Sequence, residues 1–142
     1  MIAGLAIGIV RVSYFLFTHY VPLFTNGTWE LLTTPGSEPY HPLWGPLLVF
    51  EIIGNLGAIA LSALTLWQFT KKSRLAVKLA IATFAWSAVF VTTDFFVADL
   101  IPAIAAEDDA SSRSELTRTL VGAVIWIPYF LLSKRVKNTF VN

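Results

Sequence analysis

Three charged side chains fall where charge is costly. Glu51 stands in Val49-Phe50-Glu51-Ile52-Ile53-Gly54-Asn55-Leu56, with the Asn55 carboxamide one helical turn on. Asp94 lies within the apolar run Leu75 to Ile101, and Arg11 near the middle of the run that opens the chain. At a helix centre each costs about 2.5 to 3.5 kcal/mol to insert into a bilayer, so facing lipid would be expensive. Two acids and one base support two kinds of chemistry. A carboxylate paired with a guanidinium is an internal clamp that fixes how helices meet. An acid in excess of the base can take up and release a proton, or bind a solute. The expected arrangement has Glu51 facing the bundle interior and paired with Arg11, Asn55 hydrogen-bonding across to a neighbouring helix, and Asp94 at overlapping depth. Tyr14 and Thr18 share a face with Arg11, and Ser87 shares one with Asp94.

The elements that carry these groups are set by composition. Of 142 residues, 56% are hydrophobic and 13% charged, about half the charged share of a soluble domain. With a mean hydropathy of +0.67, this is the composition of an integral membrane protein. Nine acids nearly cancel ten bases, which leaves no long-range pull on nucleic acid. The absence of cysteine excludes disulfides, thiolate catalysis and Cys-ligated zinc or iron–sulfur centres.

A bilayer core takes roughly 20 helical residues to cross. Four segments meet that length, about residues 2–23, 46–69, 75–101 and 116–133, within a single domain of residues 1–142. The first has no basic n-region and no small-residue cleavage site, so it reads as a helix and not a signal peptide. The predicted fold is an all-α four-transmembrane-helix bundle. Lys71, Lys72, Arg74 and Lys78 lie in and after the second connection, and Lys134, Arg135 and Lys137 in the tail, whereas the first connection has no Lys or Arg. The positive-inside rule then makes both termini cytoplasmic.

The connection Thr25 to Trp44 holds Pro35, Pro39 and Pro42, which forbid a continuous helix, and aromatic rings too numerous for a disordered linker. It reads as an ordered aromatic and Pro-rich outer loop, with a short helix through Trp29 to Thr33 capped by Asn26 or Thr28. Trp29, Tyr40, His41 and Trp44 are its candidate contact surface for a partner. His19 and His41, with Glu38, fall short of the three or four convergent ligands a metal needs, so neither a metal nor another cofactor is expected. Gly4 and Gly8 form GxxxG, and Gly54 with Ala58 a small-xxx-small pair, both suited to close helix approach within the bundle or between protomers. Pro128 predicts a kink in the last helix.

The stretches "PLFTNGTWELLTTPGSEPYHPLWGPLLVFEIIGN" and "IWIPYFLLSKRVKNTF", with the region of Asp94, resemble the bacterial inner-membrane family catalogued as domain of unknown function 2569. Members often open on a Gly-Gly-Trp-Leu-like segment before the first helix; here Met1-Ile2-Ala3-Gly4 stands in its place, which leaves room for a shortened start. The resemblance implies a four-helix protein of the bacterial inner membrane and transfers no catalytic residue. No HExxH, P-loop or GxSxG is present, so an enzyme is not expected. The leading functional expectation is a non-catalytic protein that binds a membrane partner, or a second copy of itself, or stabilises an assembly. The alternative is a small proton-coupled transporter or ligand-binding bundle using Arg11, Glu51 and Asp94.

Overall fold

The computed structural model describes residues 1–107 and 109–141, and every regular element among them is helical. Asp108, in the third connection, lies outside the described residues. Helix α1 (Ile2–Phe15) runs through a π turn (Leu16–Tyr20) into α2 (Val21–Thr25), and α3 (Thr28–Thr33) comes next, in the first connection. The remaining helices are α4 (Trp44–Thr70), α5 (Arg74–Ala98), α6 (Pro102–Ala105), α7 (Ala110–Leu132) and α8 (Lys134–Thr139). Four rods are long and apolar enough to cross a membrane: Ile2–Thr25, α4, α5 and α7.

Helix ends depart from the apolar runs for local reasons. Helix α4 starts two residues ahead of Pro46, which therefore sits in the first turn, where its missing N–H costs nothing. Helix α5 stops at Ala98, short of Ile101, because Pro102 drives Ile101 into an extended conformation (ψ 117°). Helix α7 starts six residues before the apolar run, at Ala110. The Asp109 side chain caps it by accepting from the Ser111 N–H at 2.9 Å and the Ser111 hydroxyl at 2.7 Å. Pro128 stands inside α7, which continues past it to Leu132. In the first connection the Asn26 side chain accepts from the Thr28 N–H at 3.0 Å, while Gly27 takes the left-handed conformation (φ 80°) that lets the chain enter α3.

The long helices pack in chain order, Ile2–Thr25 against α4, α4 against α5, and α5 against α7. Lipid tails are as apolar as leucine, so no hydrophobic drive holds such helices together; close fit and hydrogen bonds must. Both occur between α4 and α5. A Cβ at Gly54 would stand 1.9 Å from Phe90 Cε2, and one at Gly57 would stand 2.9 Å from Trp86 Cζ2. Trp86 Nε1 donates to the Gly54 carbonyl at 3.1 Å, and the Thr65 and Thr83 hydroxyls, both on buried residues, meet at 3.0 Å. Gly54 thus serves close approach as expected, but to aromatic rings. Gly4 and Gly8 do not serve it within the chain, since a Cβ at either would meet nothing within 4 Å.

At the end where α4 turns into α5, an aromatic cluster ties the elements together. Phe69, Ala76, Ala80, Phe130 and Val136 are buried as one unit, with Leu5, Trp126 and Phe140 against it. This end is basic. The opposite end, where Thr25, Trp44, Ala98 and Ala110 lie, holds the acids: no Asp or Glu stands between Glu51 and Asp94 or after Glu115.

Candidate functional site

Tyr20 is where the site begins, and Pro22 is the reason it faces inward. Pro22 has no N–H to give the Thr18 carbonyl, and the residues before it widen into a π turn. One extra residue per turn rotates the next side chains by about 100° relative to a regular helix. The Thr18 hydroxyl donates to the Tyr14 carbonyl at 2.8 Å, and His19 Nδ1 lies 3.2 Å from the Phe15 carbonyl oxygen, so side chains occupy the loosened backbone. Tyr20 is the one buried residue of the π turn, and its hydroxyl donates to Glu51 Oε2.

The Glu51 carboxyl lies within electrostatic reach of the Asp94 carboxyl across α4 and α5. Asp94 lies within electrostatic reach of Tyr20 and Glu115, and its Oδ1 is buried with no hydrogen-bond partner among the described residues. At 1.5 Å per residue the four groups sit about 6 to 10 Å below the acidic ends of their helices, at one level. Three helical rods therefore bring a phenol and two carboxyls to one point. Among the described residues no base forms an ion pair with either carboxyl.

Arg11 is elsewhere. Its Nη2 donates to Glu115 Oε1 on α7 at 3.5 Å, a single long contact between exposed side chains, so the expected Arg11–Glu51 pair is replaced by Arg11–Glu115 and Tyr20–Glu51. The physical reason is the early start of α7, which places Glu115 inside the helix and within reach of Arg11. Asn55 also departs from expectation: Nδ2 donates to the Glu51 carbonyl at 2.8 Å, one turn back on its own helix, and not to a neighbouring helix. Tyr14 is exposed, and takes no part.

A cavity of about 150 Å³ joins Asp94 to the acidic end. It lies between α5 and α7 beneath α6, and Asp94, Asp99, Glu107, Asp109 and Glu115 line it together with Arg113. Asp109, at its rim, is outside the spans; the Ser112 and Ser111 hydroxyls and the Ser111 N–H hold its carboxyl down to about 2, so it stays charged. A second cavity of about 330 Å³, lined by Phe50, Ile53, Gly54, Trp86 and Phe90 among others, contains no titratable group.

The aromatic loop is engaged with itself. Trp44 Nε1 donates to the Pro39 carbonyl at 3.2 Å, His41 Nδ1 accepts from the Leu43 N–H at 3.2 Å, and the Trp29 ring packs on Phe24 with centroids 5.0 Å apart. Trp29, Tyr40, His41 and Trp44 are half-buried, and Phe24 is exposed. Among the described residues no three His, Asp or Glu form a group able to hold a metal ion.

The family model described as protein of unknown function (DUF2569) matches residues 1–141. The chain belongs to the DUF2569 family. No curated protein and no solved structure matches it. In this DUF2569 chain the residues missed by sequence reasoning are Tyr20 and Glu115. A signal existed for each. A tyrosine two residues before a helix-perturbing proline is a candidate for reorientation, and Asp109-Ala110-Ser111-Ser112 is a capping sequence that moves Glu115 into the span.

Proposed function

We propose that the protein is a small multi-pass membrane protein that binds and releases protons at the Glu51–Asp94 pair, in the manner of a proton-linked carrier. The observation that carries this reading is the meeting of two carboxyls from different helices with a tyrosine and, among the described residues, with no base ion-paired to either. An intramembrane acid with a cation beside it is adequately explained as a clamp. Two acids facing each other are not, because each must be kept from lipid without the other neutralising it. The α5–α7 cavity supports the reading by giving Asp94 a polar path to the acidic end. Below it, Phe90 packs on Gly54 and Trp86 on Gly57, so close aromatic contacts join α4 to α5 next to the pair. The charge segregation supports placing the basic end and both termini in the cytoplasm, and the family resemblance supports the bacterial inner membrane. No catalytic group is proposed.

The test is proton movement together with carboxyl spectroscopy. In sealed proteoliposomes with an imposed pH gradient, the wild type is expected to dissipate the gradient faster than protein-free vesicles, and Glu51→Gln and Asp94→Asn to abolish the difference while keeping wild-type helix content. A protonated-carboxyl infrared band that titrates in the wild type should be lost in Asp94→Asn. No flux and no titrating band in folded wild type would reject the proposal. A partner-binding reading remains as the second, favoured by one observation: α1 contains no buried residue and its Gly4 and Gly8 face open space. A cysteine at Ile7, beside that face, would cross-link to a second copy or a partner under this reading.

A further inference from the structure

We infer that the basic end of the molecule binds the phosphate headgroup of an anionic phospholipid. Two groups of bases far apart in sequence meet there. The turn between α4 and α5 carries Lys71, Lys72 and Arg74, and α8 carries Lys134, Arg135 and Lys137. The aromatic cluster brings them together: Val136, flanked by Arg135 and Lys137, is buried with Ala76 of α5 and Phe69 of α4, and the Phe69 and Phe140 rings pack with centroids 5.1 Å apart. All six bases are exposed, Lys71 with its Nζ 3.7 Å from the Trp67 ring centroid, and among the described residues this end contains no Asp or Glu. Helix α8 is short and two-faced. Val136 points into the cluster while its basic neighbours lie on the open side, next to the place where the spans α4, α5 and α7 end.

The backbone of the turn adds an independent observation. Lys72 has a φ of 50°, the left-handed conformation that costs any residue with a Cβ and is normally left to glycine. It ends α4 in a two-bond cap, in which the Ser73 N–H donates to the Gln68 carbonyl at 3.2 Å and the Lys72 N–H to the Phe69 carbonyl at 3.1 Å. Glycine would make the same cap with less strain. A lysine held there puts charge at the tip of the turn against local preference, which is expected where the charge has a use.

A uniformly positive patch at the end of membrane spans faces headgroups, and its complement is phosphate carried by a lipid. Each base near an anionic surface contributes enough to change binding roughly fivefold. The chemistry does not depend on the proton site, which lies at the other end of the helices.

The test is the lipid retained by purified protein in nanodiscs made from equal parts of phosphatidylglycerol and phosphatidylcholine. The wild type should enrich phosphatidylglycerol, and high salt should remove the preference. Lys134→Gln/Arg135→Gln/Lys137→Gln should lower the enrichment on the order of a hundredfold in apparent affinity. Arg113→Gln/Arg118→Gln, toward the opposite end, should leave it unchanged. Lys72→Gly separates charge from folding: it should raise the melting temperature by relieving the turn, yet weaken lipid enrichment. Equal retention of both lipids by the wild type, or enrichment that persists unchanged in the triple variant and in Lys72→Gly, would overturn the inference. So would displacement of the lipid by inorganic phosphate at modest concentration, which would mark a site for the free ion.

Discussion

The two ends of the four-helix array are built on opposite terms. At the basic end the side chains that meet are Phe69, Ala76, Ala80, Phe130 and Val136, all buried, with every neighbouring charge turned outward. At the acidic end the side chains that meet are Tyr20, Glu51 and Asp94, and one carboxyl oxygen lacks a partner. The first arrangement is what packing asks for. The second works against packing, since an unsatisfied buried oxygen costs on the order of 1 to 3 kcal/mol. Stability is therefore expected to reside at one end and chemistry at the other, with the Gly54–Phe90 and Gly57–Trp86 contacts as the seam between them.

The largest expected effect tests that division directly. Phe130 is 2% exposed and touches the rings of Phe69, Phe84 and Trp126. Phe130→Ala leaves a void among stiff rings and should destabilise by about 3 to 5 kcal/mol, read as a large drop in melting temperature in detergent. Asp94→Asn should move in the other direction or not at all, because Asp94 Oδ1 is buried with no hydrogen-bond partner to lose. If Asp94→Asn melts as early as Phe130→Ala, the carboxyl pair is structural and the comparison fails.

A smaller effect sharpens where the charges pair. Arg11→Met with Glu115→Gln should be non-additive, with a coupling of about 1 kcal/mol, a modest value because the contact is single and long. Arg11→Met with Glu51→Gln should be additive. Coupling in the second cycle and none in the first would restore the guanidinium to the site and turn the carboxyl pair back into a clamp.

Sequence reading succeeded where the signal was a property of many residues and failed where it was a property of one contact. Four apolar runs long enough to span a bilayer announce four helices whatever their partners, and Glu51 and Asp94 stand out because their neighbours are Leu, Ile, Val and Phe. Depth along a helix is set by residue count, so their common level was legible too. Rotation about the helix axis was not. Pro22 and the π turn decide that Tyr20 points inward, and hydropathy is blind to a change of about 100°. The start of α7 was hidden for a related reason: Ser111, Ser112, Arg113, Ser114 and Glu115 are polar and helical at once, and an apolar run registers only the first property. That error of six residues took Glu115 out of consideration and left Arg11 with Glu51 as its nearest acid by default.

The smallest effect concerns that same helix start. Asp109 accepts from the Ser111 N–H and from the Ser111 and Ser112 hydroxyls, and these bonds hold its carboxyl at about 2, below its ordinary value of 3.8. A depressed value means the folded chain favours the carboxylate. The cap is therefore complete above pH about 4 and is withdrawn as pH falls through about 2, with no loss on the alkaline side. The Ser111 amide resonance in isotope-labelled protein should accordingly titrate with a midpoint near 2, and Asp109→Ala should abolish that titration and quicken amide exchange at Ser112 and Arg113 while barely shifting the melting temperature. Asp109 also lines the α5–α7 cavity, where its carboxylate adds negative charge near the mouth. A midpoint near 3.8 would show that the serines do not hold the carboxylate. The first turn of α7 would then lack its anchor, Glu115 would no longer be fixed opposite Arg11, and the guanidinium would be free to return to the acidic site.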